Sequence, residues 1–320
     1  MRSQIELIDV SGAKRRKAQN SKNTGRQQWE KEQTARRQEA IKQGEKRQTA
    51  KRRRRQKRRR RLRLVFRIFA AVFLLGVLGR LLWGTGFMEE LSAFTKLPWP
   101  FGSREEQEQL EQIYAKEDSY PPELLEALEK NPELLSFVEG YLSSDGSVTG
   151  GLTEEELSQD FPLLLQYDAR WGYAPYGDNN IALSGCAPTC LSMVVTALRK
   201  NGDASPNVVA DYAMERGYYQ DGVGTMWSLM TEGAPDFGVR GEEIGLDKNL
   251  IFARLEEGSP IICSMRPGDF TTTGHFIVLV GIQDGKIVVN DPYSRERSEK
   301  LWDYETLEYQ IKNLWAFSLL

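Results

Sequence analysis

Residues 160–320 predict an α+β fold in which a helix packs against one face of an antiparallel sheet. Leu191, Val194 and Leu198 fall on one side of a helix that is followed by more helical patterns before most of the strands. Two later strand-like runs are joined by a short turn ending at Gly285, which predicts an antiparallel hairpin. About 160 residues are enough for one ordinary domain with its own core.

The elements of this domain follow from periodicity and from turn residues. The predicted strands are Pro162–Gln166, Pro260–Ser264, His275–Ile282, Lys286–Asn290 and Leu314–Ser318. The predicted helices are Cys186–Lys200, Val208–Arg216, Thr225–Glu232 and Asp247–Glu257. Residues 88–159 contain further helical patterns, among them a capped start at Ser103, and predict a helical stalk or linker.

The charge of the chain is divided between its two ends. Residues 1–63 hold 24 Lys and Arg against 6 Asp and Glu, a net charge of +18. Residues 88–320 hold 17 against 39, a net charge of −22. This asymmetry indicates that the two parts occupy different environments.

The segment between them, residues 64–87, is apolar except for Arg67 and Arg80. A spanning helix needs about 20 residues, and arginines near its ends can reach the headgroups. We therefore predict a single-pass transmembrane helix, with the basic side cytoplasmic and the C-terminal domain extracytoplasmic. A cleavable signal peptide is disfavoured because a long segment precedes the apolar run. Cleavage near residues 84–86 stays open.

Residues 1–63 are rich in Arg, Lys and Gln and lack the apolar periodicity of a folded core, so they predict a disordered cytoplasmic tail. The basic run at residues 52–61 is typical of a segment that binds anionic lipid beside a membrane, or of one that binds nucleic acid. We favour lipid, because the run adjoins the predicted span and no nucleic-acid recognition module accompanies it.

Cys186 lies at the predicted N-terminus of an amphipathic helix, with Pro188 in the first turn. Unpaired backbone N–H groups and the positive end of the helix dipole stabilise a thiolate there, which is the nucleophilic form. The alternative is a Cys that serves only as a small buried side chain. Cys190 and Cys263 are most simply residues of that kind.

His275 is the only histidine in the chain, so any Cys–His mechanism must use it. It opens a run that is apolar on both faces and predicts a central strand. Asp291 follows the next strand and is a candidate for orienting the imidazole. The alternatives are a core histidine held by backbone groups, and an aspartate that only forms an Asp-Pro turn.

Strand register decides whether Asp291 can reach His275. A two-residue loop, residues 284–285, turns the carboxylate to the opposite face of the hairpin. A three-residue loop, residues 283–285, adds a bulge and puts both side chains on one face. A catalytic pair therefore predicts the longer loop, with Gly285 at positive φ.

Gln166 is a candidate donor to the oxyanion of acyl transfer, beside the backbone N–H of Cys186. The order Gln166, Cys186, His275, Asp291 resembles that of the papain-like cysteine peptidases. The resemblance is to family thirty-nine-like cysteine peptidases, relatives of the bacteriocin-processing peptidases that cut after double-glycine leaders. The motifs that carry it, within residues 161–317, are Gln166–Gly172, Tyr176-Gly177, Gly185–Thr189, Gly274–Phe276 with Val280-Gly281, and Asn290–Pro292.

This resemblance implies a papain-like domain that cleaves a peptide or protein without a cofactor. It implies Cys186 as nucleophile, His275 as general base and acid, Asp291 as orienting group and Gln166 as oxyanion donor. The processing relatives are fused to a transporter, and this chain does not resemble a nucleotide-binding domain, so an export leader is not the expected substrate.

Two other functions stay open. One is transglutaminase-like or cell-wall amidase-like acyl transfer, which the same residue order can support. The other is a catalytically idle peptide-binding domain. One His and three scattered Cys do not make a tetrahedral zinc set, so no metal site is predicted.

Overall fold

The computed structural model describes residues 103–320. The predicted basic tail (1–63), the predicted transmembrane helix (64–87) and the start of the predicted stalk lie outside the described residues. Within residues 103–320, no helix is both long enough and apolar enough to cross a membrane.

The described residues form ten α-helices and ten strands. The helices are α1 (Arg104–Ala115), α2 (Pro122–Lys130), α3 (Leu135–Tyr141), α4 (Glu154–Ser158), α5 (Ile181–Ser184), α6 (Cys186–Arg199), α7 (Pro206–Glu215), α8 (Lys248–Glu256), α9 (Arg295–Glu299) and α10 (Tyr304–Leu307). The strands are β1 (Pro175–Tyr176), β2 (Asn179–Asn180), β3 (Tyr219–Gln220), β4 (Gly224–Thr225), β5 (Val239–Glu243), β6 (Ile261–Met265), β7 (His275–Gln283), β8 (Lys286–Asn290), β9 (Leu301–Trp302) and β10 (Ile311–Leu319).

Six strands form an antiparallel sheet in the order β5-β10-β6-β7-β8-β9, so β7 is central, as predicted. Side chains alternate between the two faces of a strand. Phe276, Val278 and Val280 of β7 belong to the core that includes α6, whereas Ile277 and Leu279 belong to the core that includes α8. The arrangement confirms the α+β fold with a helix packed on an antiparallel sheet.

The predicted strand at residues 162–166 is wrong, because residues 162–165 have no regular secondary structure and residue 166 lies in a turn. The Asn290 side chain donates to the carbonyl of Pro162 at 3.1 Å. The N–H of Gln166 donates to the carbonyl of Pro292 at 2.8 Å. These isolated hydrogen bonds hold the segment at the end of β8, but they do not form the repeated backbone pairing of a strand.

The predicted helix at residues 225–232 is also wrong at its start, because Thr225 belongs to the short hairpin β3-β4. The helical turns lie later, a π-helical turn at Leu229–Gly233 and a 3₁₀ turn at Ala234–Phe237. Strand β5 was not predicted. Only two of its residues are buried, so it lacks an apolar run.

The turn between β7 and β8 has two residues, and the predicted three-residue loop is wrong. Gln283 pairs with Lys286. Asp284 and Gly285 both have positive φ, 52° and 73°, as a type I′ turn requires. The predicted positive φ of Gly285 is confirmed.

The register shift that the longer loop was expected to supply lies inside β7. The pairing with β8 is irregular between Leu279 and Gly281, which leaves Val280 as an extra residue in a bulge. Beyond the bulge Val278 pairs with Asn290. Asp291, the residue after Asn290, therefore lies on the same face of the sheet as His275.

Helices α1, α2 and α3 contribute to an apolar cluster that also contains Tyr167, Ala182 and Tyr293. The described part of the predicted stalk therefore packs directly on the domain that follows it. The domain boundary near residue 160 stays a prediction.

Candidate active site

Cys186 is the first residue of α6, and the short helix α5 ends just before Gly185. Gly185 is required between the two helices, because a Cβ atom there would lie 2.6 Å from the carbonyl oxygen of Ile181. N–H groups in a first helical turn have no intrahelical partner and favour negative charge. Cys186 is partly exposed, whereas Cys190 and Cys263 are buried, and burial raises the pKa of these two thiols.

His275 is the first residue of β7, and its side chain is 8% exposed. Its Nε2 lies 2.7 Å from Oδ1 of Asp291. Cys186 lies close enough to the ring to raise the pKa of His275. Since the carboxylate engages Nε2, Nδ1 is the ring nitrogen that remains for the thiol. The imidazole is thus held between Cys186 and Asp291.

Asp291 is fully buried, and three donors satisfy its carboxylate. Oδ1 accepts from His275 and from the N–H of Tyr293 at 2.8 Å. Oδ2 accepts from Nε of Arg297 at 2.6 Å. The N–H of Asp291 donates to Oγ of Ser298 at 2.9 Å. These contacts fix the carboxylate in position and orientation.

The electrostatics of the site favour charged forms of both partners. Burial lowers the pKa of His275, but the Asp291 carboxylate and the Cys186 thiol outweigh burial and raise the pKa to about 9. Burial raises the pKa of Asp291, but His275 and Arg297 outweigh it and hold the pKa below its ordinary value. Near neutral pH the site therefore contains an imidazolium and a carboxylate.

Gln166 is buried and links the helix before Cys186 to the loop after Asp291. Its Nε2 donates to the carbonyl of Ala182 in α5 at 2.7 Å, and its backbone N–H donates to Pro292. Within residues 103–320, its Oε1 has no hydrogen-bond partner. An amide nitrogen carries two protons, so one donor remains for a further acceptor.

Arg297 and Ser298 did not emerge from the sequence, although both contact the candidate site. They lie in α9, which has five residues and no buried ones, so periodicity cannot detect it. The available signal was Ser294, whose side chain caps α9 by accepting from the N–H of Arg297. A capped turn close after an Asp-Pro pair indicates that the chain folds back toward the aspartate.

These groups have the arrangement that nucleophilic catalysis by a cysteine requires. A base must lie within hydrogen-bonding reach of the thiol, and a third group must orient the base. The structure brings Cys186, His275 and Asp291 together in this order, and it places Gln166 between the segments that carry Cys186 and Asp291.

Comparison with known proteins gives a family match and two similar solved structures. The peptidase domain of Streptococcus ComA, a bi-functional ABC transporter involved in a quorum sensing pathway, is 18% identical, with 43% of this chain and 93% of that chain covered and a TM-score of 0.35. A putative C39-like peptidase from Bacillus anthracis is 15% identical, with 49% of this chain and 94% of that chain covered and a TM-score of 0.28. No curated protein matches this chain. Residues 158–317, half of the chain, match the Peptidase_C39 like family, a cysteine-peptidase type of domain, and the chain therefore belongs to that family.

Proposed function

We propose that this chain is a membrane-anchored, extracytoplasmic cysteine peptidase that cleaves peptide bonds through Cys186, His275 and Asp291, with Gln166 as an oxyanion donor. The observation that carries the proposal is the position of the only histidine, between a helix-start thiol and a fully buried carboxylate. The family match supports a peptide or protein as the substrate.

In the acylation step, the thiolate of Cys186 attacks the carbonyl carbon of the scissile bond, and a C–S bond forms. The imidazolium of His275 gives its proton to the leaving amine as the C–N bond breaks. Asp291 holds the ring in the orientation that this transfer needs. In the second step, neutral His275 removes a proton from water, the hydroxide attacks the thioester, and the C–S bond breaks to release the acid.

The tetrahedral intermediate carries a negative oxygen that needs donors. The first-turn position of Cys186 supports its backbone N–H as one donor. The second Nε2 proton of Gln166 is the other, because the first is bound to Ala182. The unpartnered Oε1 of Gln166 cannot serve, since an oxygen does not donate.

The proposed function is tested with a thiol-reactive peptidyl probe on the full chain. We expect the probe to label wild type at Cys186 only, since the other two thiols are buried. The variant Cys186→Ala should not be labelled, and the control Cys263→Ala should be labelled like wild type. Labelling that maps to another residue, or that survives in Cys186→Ala, would contradict the proposal.

The anchoring part of the proposal is supported by the change of net charge from +18 in residues 1–63 to −22 in residues 88–320, on the two sides of an apolar segment. By the positive-inside rule, the basic part stays in the cytoplasm.

We expect protease added to intact cells to remove the part of the chain after Met88 and to spare residues 1–63. Immunoblots with antibodies against each end of the chain show which end is digested. In the control, the cells are lysed first and both ends should be digested. A C-terminal domain that is digested only after lysis would overturn the proposed topology.

A further inference from the structure

Glu133 lies between α2 and α3, outside the residues that match the family, and it binds the start of α9. Its Oε1 accepts from Oγ of Ser294 at 2.6 Å and from the N–H of Glu296 at 3.3 Å. Its Oε2 accepts from the N–H of Arg295 at 2.8 Å. The carboxylate thereby satisfies N–H groups that a helix start leaves without partners.

The charge of Glu133 is stabilised in this position. Burial raises its pKa, but the hydrogen bonds from Ser294, Arg295 and Tyr167 outweigh burial and lower the pKa. The Tyr167 hydroxyl donates to Oε2 at 2.8 Å. Glu133 is therefore an ionised cap supplied to α9 from a distant part of the sequence.

Helix α9 in turn holds Asp291. Nε of Arg297 donates to Oδ2 of the aspartate at 2.6 Å. Oγ of Ser298 accepts from the backbone N–H of Asp291 at 2.9 Å. The same hydroxyl donates to the carbonyl of Ser294 at 2.8 Å. A displacement of α9 would therefore move the two side chains that fix the carboxylate.

A second contact from the same segment acts through Tyr293, which binds the other carboxylate oxygen, Oδ1 of Asp291. Asn131 is 5% exposed, and its Nδ2 donates to the carbonyl of Tyr293 at 2.5 Å. The N–H of Tyr293 donates to Asp291, and its ring packs edge-on against His275, with 6.1 Å between the centroids. Asn131 and Glu133 thus fix residues 293–296, which directly follow the Asp-Pro pair.

We propose that Glu133 is a positioning residue for Asp291, which it holds against His275 through α9. The segment of α1 to α3 is then part of the active-site support. This inference rests on the proposed function for its effect on catalysis, but its effect on His275 is independent of that function.

The alternative is that Glu133 only attaches the helical segment to the domain. The two roles differ in their effect on His275, whose ring is hydrogen-bonded to Asp291. An attachment role lowers thermal stability and leaves the titration of His275 unchanged. A positioning role changes the titration, because the contact between Asp291 and the ring is lost or lengthened.

The test uses the full chain in detergent micelles, with ¹³C-labelled histidine. Since the chain has one histidine, NMR gives a single imidazole signal to titrate. In Glu133→Gln, which keeps the size of the side chain, we expect the midpoint to fall toward that of an ordinary imidazole, about 6.5. Labelling of Cys186 by the peptidyl probe should slow about tenfold or more, since small displacements of catalytic groups cost this much.

The matched control is Glu126→Gln on α2, whose carboxylate is half exposed and pairs with Lys130 on the surface. It should change neither the midpoint nor the labelling rate, because exposed pairs of this kind contribute little. If Glu133→Gln does not fold, Glu133→Asp keeps the charge, shortens the reach and gives the same comparison.

The outcomes separate this inference from the proposed function. A wild-type midpoint and a wild-type labelling rate in folded Glu133→Gln would overturn the positioning role and leave the peptidase proposal intact. A lowered midpoint together with a wild-type protein that no probe labels would support the positioning role and overturn the peptidase proposal.

Discussion

Replacing His275 by Ala should reduce the alkylation rate of Cys186 at pH 7 by about 10²-fold or more, the usual contribution of a positioned base. In wild type, we expect alkylation to persist well below the pH at which an ordinary thiol ionises, about 8.5. In His275→Ala, the rate should rise with pH as it does for an ordinary thiol. Iodoacetamide kinetics between pH 5 and 10 measure both profiles.

The sign of this dependence follows from the two titrations. The pKa of His275 is raised to about 9, so the imidazolium is present at pH 7 and is lost as the pH rises through about 9. The pKa of Asp291 is lowered, so its carboxylate is lost only in acid, below its ordinary range. Between these limits His275 is an imidazolium beside Cys186, and the expected alkylation at low pH depends on that cation.

Two features of the chain make this experiment clear. There is no second histidine to supply a background base, and the other two cysteines are buried. Thermal unfolding of His275→Ala controls for loss of the fold. A folded variant whose pH profile matches that of wild type would mean that Cys186 and His275 are not coupled.

The pairing of His275 with Asp291 could be predicted because the chain offers one histidine and because strand alternation limits which carboxylates can reach it. The cause of the register between β7 and β8 was predicted wrongly. The shift lies at Val280, inside β7, and the turn is a two-residue one. Gly281 was the available signal, since glycine within a strand pattern often marks a bulge.

The groups around Asp291 could not be predicted for a different reason. Arg297 and Ser298 lie on a helix of only five residues. Glu133 lies 158 residues before Asp291 in the sequence. Their contacts depend on how α9 packs against the loop after α2. Local propensity and spacing carry no information on such a contact, because the three-dimensional fold alone brings these residues together.

Replacing Asp291 should lower activity in the order wild type, Asp291→Asn, Asp291→Ala. The amide oxygen of Asn can still accept from the ring N–H of His275, so we expect a loss of about tenfold. Ala removes the acceptor from a fully buried position and frees the ring to rotate, so we expect a loss of about 10²-fold or more. Peptidyl-probe labelling of Cys186 and cleavage of a peptide substrate measure the effect.

The contact with Arg297 is the reason why Asn should not behave like wild type. Oδ2 of Asp291 accepts from Nε of Arg297, so an Asn that presents its oxygen to the histidine must present its amide nitrogen to a guanidinium donor. The loss of charge also removes a cause that raises the pKa of His275, which should fall toward about 6.5. Both effects reduce the imidazolium population at pH 7.

Asp303→Asn is the matched control, because Asp303 is about half exposed and pairs with Lys286 on the surface. This control should leave activity and the His275 titration unchanged, since exposed ion pairs contribute little. If Asp291→Ala stays folded with wild-type activity, Asp291 does not orient the base. Cys186 and His275 would then act without it, and the buried aspartate would serve to hold Arg297 and α9 in place.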